Sequence, residues 1–278
     1  MMKKIKFTKM QGLGNDFILV DYEKNTDFQA LAEKMCDRHF GIGADGLIVV
    51  NPEDMNGSAD ASWHIYNSDG SEPQMCGNGI RCLTKYVYEK NLVNKKKFTV
   101  NTLAGIVIPE ILEDGKVKVD MGKPILGPVD IPCKASSALK FQVNVLDRCF
   151  EANAVSMGNP HCVIFEDEEV MPLAEKYGPH IEIHPFFPEK TNVEFVQKIS
   201  DSHLKLAVWE RGCGITLACG TGSCATVVAA ILNKLTGKKV QVDLPGGALF
   251  IEWSGNTEDS VFMTGDAEFV FEGEYFAD

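Results

Sequence analysis

Two stretches far apart in this chain read almost alike, Met75-Cys76-Gly77-Asn78-Gly79 and Ala218-Cys219-Gly220-Thr221-Gly222. Each leads into a segment of helical composition, 80–88 after the first and 223–232 after the second. The likeness extends outward. A glycine turn carrying Asn15 lies 61 residues before Cys76 (76 − 15), and one carrying Asn159 lies 60 before Cys219 (219 − 159). Downstream, β-branched runs ending in glycine, 98–105 and 240–246, put Val100 24 residues after Cys76 (100 − 76) and Val242 23 after Cys219 (242 − 219). Matches in one order at shared spacing imply a tandem duplication, so the chain must fold as two similar units.

Within each unit the pattern is mainly strand-like. Lys4-Ile5-Lys6-Phe7-Thr8 alternates, and 116–121, 204–209 and 248–253 are further strand segments. Residues 27–39 predict a helix with its apolar face at Phe28, Leu31, Ala32 and Met35. Leu173, Glu175 and Tyr177 predict a short helix, with Pro179 and Pro185 bracketing His180 and His184 against a long one. The expected fold class is α/β (α+β), each unit a curved, mostly antiparallel sheet around a central helix. The expected boundaries are 1–121 and 122–261, with 262–278 returning to the first unit. Two such copies are expected to be related by a pseudo-twofold axis, with the active site in the cleft between them.

Composition narrows the function. A net charge of −12 argues against nucleic acid as a partner, because a phosphate backbone demands a cationic surface. No uninterrupted apolar run approaches the ~18 residues of a membrane span. The basic start, Met1-Met2-Lys3-Lys4, runs into patterned sequence broken by Lys6, Lys9 and Gln11, so a cytoplasmic address is expected. Nine cysteines are an odd count in a chain too long to need disulfide staples. Cys36, Cys133, Cys149 and Cys162 sit singly, and most of them read as buried small hydrophobes. The spacings of Cys76/Cys82 and Cys213/Cys219/Cys224 are not those of a zinc knuckle, so no metal is expected. Gly41-Ile42-Gly43-Ala44-Asp45-Gly46 formally matches a dinucleotide fingerprint, but it follows a helix and leads into the strand 47–50, the reverse of the required order. It reads as a structural turn, and no cofactor is expected.

The cysteine turns point to chemistry. A helix start favours a thiolate through the dipole and the free N–H groups. The following glycines let those N–H groups converge on an anion. A substrate carboxylate held there would set its α-carbon beside sulfur, one thiolate removing the α-proton and one thiol returning a proton on the opposite face. Buried core cysteines, a redox pair and a nucleophilic hydrolase are the competing readings. Neither cysteine has a histidine tied to it in sequence.

Long ordered motifs then carry a resemblance over nearly the whole chain. Gly12-Leu13-Gly14-Asn15-Asp16-Phe17, Asn67-Ser68-Asp69-Gly70-Ser71-Glu72 before Cys76-Gly77-Asn78-Gly79-Ile80-Arg81-Cys82, Met157-Gly158-Asn159-Pro160-His161, Thr191-Asn192-Val193-Glu194, and Glu210-Arg211-Gly212-Cys213-Gly214 before Ala218-Cys219-Gly220-Thr221-Gly222 resemble the diaminopimelate epimerases. These are cofactor-independent enzymes that interconvert LL- and meso-2,6-diaminopimelate for lysine and peptidoglycan synthesis. The resemblance implies that Cys76 and Cys219 are the base and acid pair. It implies that Gly77, Asn78, Gly220 and Thr221 receive the reacting carboxylate on backbone N–H groups, with Asn15 near that centre and His161 beside it. Asn67, Asn159, Asn192 and Arg211 would bind the distal carboxylate, and Glu210 the distal ammonium. An arginine among neutral donors suits a carboxylate, and a glutamate suits the ammonium on the same carbon.

Two positions depart from the family pattern: Gly46 stands where some members place glutamine, and Ile215 where a glutamate commonly precedes Thr216. A racemase or epimerase of another amino acid, using the same cysteine pair, is the alternative reading. The expected partner is a small molecule, with no nucleic acid and no membrane, and a homodimer is carried as a candidate assembly.

Overall fold

A computed structural model describes residues 3–51 and 59–277 of the chain; Met1 and Met2, part of the basic start, lie outside the described residues. In chain order the elements are β1 (Lys3–Gly12), β2 (Asn15–Asp21), α1 (Phe28–Cys36), β3 (Gly46–Val50), β4 (Ala61–Asn67), α2 (Gly77–Glu89), β5 (Val100–Thr102), β6 (Gly105–Val107), β7 (Glu110–Ile111) and β8 (Val117–Asp120). There follow β9 (Phe141–Val145), β10 (Arg148–Ser156), β11 (Pro160–Phe165), α3 (Val170–Glu182), β12 (Asn192–Ser200), β13 (His203–Glu210) and β14 (Gly214–Ile215). Then come α4 (Gly220–Leu232), β15 (Lys239–Leu244), β16 (Gly247–Glu252), β17 (Phe262–Gly265) and β18 (Glu268–Ala277). They form two compact units, Met1–Val119 with Gly265–Asp278, and Asp120–Thr264.

The first unit is built on a mixed sheet in the order β18-β1-β2-β3-β4-β5-β6. The hairpin β1–β2 closes through Leu13 (φ 58) and Gly14 (φ 80), two consecutive left-handed residues as a tight two-residue turn requires. Leu13 holds that conformation while its side chain is buried, which fixes Asn15 at the mouth of the turn. A crossover through α1 makes β2 and β3 parallel, β3 and β4 form an antiparallel pair, and a second crossover through α2 makes β4 and β5 parallel. In the second unit the same series recurs. The antiparallel pair β10–β11 leads through α3 to the parallel partner β12, β12 and β13 are antiparallel, and α4 crosses to β15 parallel to β13. Each cysteine-capped helix is therefore the second crossover of its unit. A long parallel connection of this kind needs a helix to carry it, and the helix buries its apolar side on the sheet.

Local sequence explains the ends. Asp27 caps α1, its carboxylate accepting the N–H of Ala30 at 3.1 Å. The helix stops at Cys36 rather than at the predicted 39, because the Asp37 carboxylate takes the N–H groups of His39 (2.7 Å) and Phe40 (2.8 Å) and folds them into a turn. Helix α3 corrects a second expectation. It is not short, and it runs through Pro179 to Glu182, carrying His180 in its last turn. Leu173, Tyr177 and Ile181, spaced four apart, bury one face in the core of the second unit, and that packing outweighs the one helical bond proline cannot make. His184 lies beyond the helix, its ring 4.9 Å from that of Phe186.

Among the single cysteines, Cys36, Cys133 and Cys162 are buried, whereas Cys149 is exposed. It sits at an outward position of β10, where the side chains alternate between core and solvent. Strand β17 pairs with β16 and belongs with the second unit, so the terminal segment that joins the first unit begins at Gly265 rather than 262. None of the described helices is long and apolar enough to cross a membrane.

Candidate active site

Cysteine occupies the N-cap of α2 and of α4, the second crossover helix of each unit. Cys76 (φ −139°, ψ 117°) and Cys219 (φ −130°, ψ 108°) are extended, and each sulfur accepts the N–H of the residue three along, Gly79 at 3.4 Å and Gly222 at 3.3 Å. The helix ladder begins at once, with Ile80 N–H on the Cys76 carbonyl at 2.9 Å and Ser223 N–H on that of Cys219 at 3.0 Å. Helix geometry leaves the N–H groups of the first positions, Gly77 and Asn78 in α2, Gly220 and Thr221 in α4, without intrahelical acceptors. A sulfur and a cluster of donors thus share each helix start, where positive potential gathers.

In the first unit the structure brings Asn15, Cys76 and Asn78 together. Asn78 Nδ2 donates to Asn15 Oδ1 at 3.0 Å, and Cys76 Sγ lies 4.0 Å from the same oxygen. Asn15 Nδ2 donates to the Asp45 carboxylate at 2.7 Å, which fixes which end of the amide faces the sulfur. Asp45 is held by Arg38 (2.8 Å), and Arg38 also reaches Asp16 (2.8 Å), the half-buried partner of buried Lys9 (2.7 Å). Burial opposes ionisation of Asp16, but Arg38 and Lys9 outweigh it and hold the carboxyl below its usual range. Asn67 stands apart from the cysteine, at the exposed end of β4, its amide on Ser71 Oγ at 2.9 Å. Next to it in register is Gly46, where a Cβ would lie 2.7 Å from the Tyr66 carbonyl. That closeness explains why glycine, and no longer side chain, stands at this departure from the family pattern.

In the second unit Asn159, His161, Thr221 and Cys219 form a continuous series. Asn159 lies in the turn between β10 and β11, with Oδ1 3.0 Å from His161 Nε2 and Nδ2 3.3 Å from Thr221 Oγ1; Thr221 Oγ1 is 3.6 Å from Cys219 Sγ. His161 is fully buried, and its Nδ1 meets Glu194 Oε1 at 2.7 Å, the carboxyl being equally buried. Asn192 serves another group. Its Oδ1 accepts the backbone N–H of Arg211 (2.9 Å) and its Nδ2 donates to the Pro160 carbonyl (2.9 Å), so the amide ties the loop that begins at Arg211, just after Glu210, to the start of β11. Buried Glu182 anchors the same loop by accepting from Gly212 N–H (3.1 Å) and Trp209 Nε1 (2.8 Å). The Arg211 side chain is exposed and donates to the Glu189 carbonyl at 3.2 Å. Ile215 pairs with Trp209 through β14 and packs against the core of this unit, an apolar duty that a glutamate would not perform.

Burial pushes the Cys219 thiol well above its ordinary value, the charges of Glu210 and Glu194 push the same way, and the Thr221 hydroxyl and Gly222 N–H oppose them. Burial, against the opposing charges of Arg81 and Lys85, raises Cys82 to about 12, which makes it an inert core thiol. Three acids that contact these residues, Asp45, Glu182 and Glu194, are not singled out by the sequence pattern. For Glu194 the signal that could single it out is its apolar setting, Val193-Glu194-Phe195-Val196 in a central strand.

The family model described as diaminopimelate epimerase matches residues 7–127 and 153–270. A diaminopimelate epimerase of Carboxydothermus hydrogenoformans is 52% identical over 278 residues, covering 98% of this chain and 100% of the relative. One from Pelotomaculum thermopropionicum is 51% identical over 280 residues, 97% of this chain and 98% of its own. Among solved structures, a phenazine biosynthesis protein of the PhzF family from Bacillus anthracis has a TM-score of 0.73, covering 99% of this chain and 100% of that one at 19% identity. At that identity the likeness is one of fold.

Proposed function

This chain belongs to the diaminopimelate epimerase family, and from that premise we propose that it interconverts LL- and meso-2,6-diaminopimelate with Cys76 and Cys219 as its acid–base pair. The observation that carries the reading is the paired N-cap: two sulfurs, each at a helix start beside free N–H donors, at the positions where the family motif expects them. A thiolate takes the α-proton, and the electron pair left on carbon spreads into the carboxylate, where helix N-terminal donors stabilise the growing charge. The other sulfur returns a proton to the opposite face, so the carbon inverts. Cys76 serves the L-configured centre and Cys219 the D-configured centre, and the roles exchange in the reverse direction. Glu210 and Arg211 lie adjacent where β13 ends in a loop anchored by Asn192 and Glu182, which supports recognition of a second zwitterionic head.

The test is incubation with LL-diaminopimelate in heavy water, following deuterium at the α-carbon alongside meso product. Replacing either Cys76 or Cys219 by serine should slow turnover at least ~100-fold, since a hydroxyl is a much weaker acid and base near neutrality. Arg211→Ala should cost about 2–5 kcal/mol of substrate binding through loss of a charged partner. A wild type that racemises monocarboxylate amino acids as well as diaminopimelate, with Arg211→Ala making little difference, favours a general racemase. For assembly, the exposed Phe269, Val270, Phe271 and Phe276 of β18 support a homodimer, which sedimentation velocity tests directly.

A further inference from the structure

Glu194 has no part in the assignments above, yet it is fully buried beside the second cysteine. Its Oε1 meets His161 Nδ1 at 2.7 Å, while its Oε2 has no hydrogen-bond partner among the described residues. A Cβ on Gly222 would stand 2.8 Å from Glu194 Oε1 and 3.1 Å from Cys219 Sγ, so the helix start is cut back to glycine to admit the acid. Gly79, the matching position of α2, faces the apolar Ile65 and Trp63 instead. The acid–histidine pair therefore distinguishes the surroundings of one catalytic thiol from those of the other.

A lone carboxylate in such a place is costly, so the pair must be close to electrically neutral. Neutrality can be met as carboxylate with imidazolium, or as carboxylic acid with neutral imidazole. In both, one proton lies between Oε1 and Nδ1 and a second sits on Nε2. Nε2–H then donates to Asn159 Oδ1, which turns Asn159 Nδ2 toward Thr221 Oγ1 and leaves the Thr221 hydroxyl proton to point at Cys219 Sγ. We infer that Glu194 is a positioning residue that, through His161, Asn159 and Thr221, sets the direction of a hydrogen-bond chain ending as a donor on the Cys219 sulfur. The inference rests on Cys219 being catalytic. The groups facing this chain are Glu210 and Glu194 at Cys219, and Cys162 and His161 at Glu194.

The experiment uses the full chain without substrate, so it stands or falls separately from the deuterium test of function. Imidazole nitrogen NMR of 15N-labelled protein reads the protonation of His161, and peptide mass spectrometry reads iodoacetamide alkylation of Cys219. Wild type should keep the proton on Nε2. Glu194→Gln should keep it too, because the amide can donate to Nδ1, whereas Glu194→Leu should mix the tautomers. The Gln and Leu variants equally lack the charge, so a rate for Cys219 about fivefold or more slower in Glu194→Leu isolates the direction of the chain, as thiolate content governs alkylation. Thr221→Val, which removes the final donor, should slow Cys219 likewise while leaving the His161 signals unchanged, and serves if the Leu variant does not fold. A bare Nε2 in wild type or Glu194→Gln, or equal Cys219 reactivity in the Gln variant and in either Glu194→Leu or Thr221→Val, overturns the proposal.

Discussion

Serine, threonine, aspartate and asparagine cap most helices. Here the capping atom is sulfur, and in the proposed reaction it also carries a proton, so its neighbours decide its chemistry. Because the negative charge of Glu210 adds to burial in disfavouring a thiolate at Cys219, Glu210→Gln should move the alkylation midpoint of Cys219 to lower pH. The same substitution should leave buried Cys82 unreactive. Asp16 yields an acid-side prediction. Its carboxyl is held below the ordinary 3.8 in the folded unit, so it adds stability above the unfolded value and loses it as pH falls through the folded one. Asp16→Asn should therefore lower the urea midpoint at neutral pH and do so much less near pH ~3. Residues with chemistry in their type, such as Cys76, Cys219 and Arg211, were legible from spacing and motif. Asp45, Glu182 and Glu194 were not, because an acid in a sequence looks the same whether water or a histidine faces it.

At the level of elements, close contact explains what periodicity alone does not. Helix α3 lies so near β13 that a Cβ on Gly178 would sit 2.5 Å from Trp209 Cβ and 2.7 Å from its Cγ. Gly178→Ala should displace Trp209 and with it the indole bond to Glu182, destabilising the protein by about 1–3 kcal/mol despite alanine's better helix propensity. Because Glu182 also holds Gly212, the KM for diaminopimelate should rise more than kcat falls, which steady-state kinetics will show. The two cysteine helices could be read from composition because glycine-rich caps and apolar runs are local signals. The extent of α3 could not, since Pro179 is a local stop signal that only the Leu173, Tyr177 and Ile181 packing overrides.

For the molecule as a whole, the repeat was legible because duplication leaves offsets that later divergence has not erased. The two crossovers and their strand directions recur in both units, although the residues at Gly79 and Gly222 now face unlike neighbours. Where one unit ends was harder to see, because hydrogen bonds between β16 and β17, not composition, decide it. Strand β18 pairs along its length with β1, from Lys3 opposite Ala277 to Gln11 opposite Glu268, with one bulge on the way. That single pairing reverses the order in which the units can be finished during synthesis. The first unit leaves the ribosome early but lacks an edge strand until residue 268 and beyond have emerged, whereas the second is contiguous and complete by Thr264. Nascent chains stalled past residue 264, with enough extra chain to clear the exit tunnel, should show protease-resistant α3 and α4 while β1 and β2 are still cleavable. Release of the remaining segment should then protect β1 and β2 together, so the half translated first is the half that matures last.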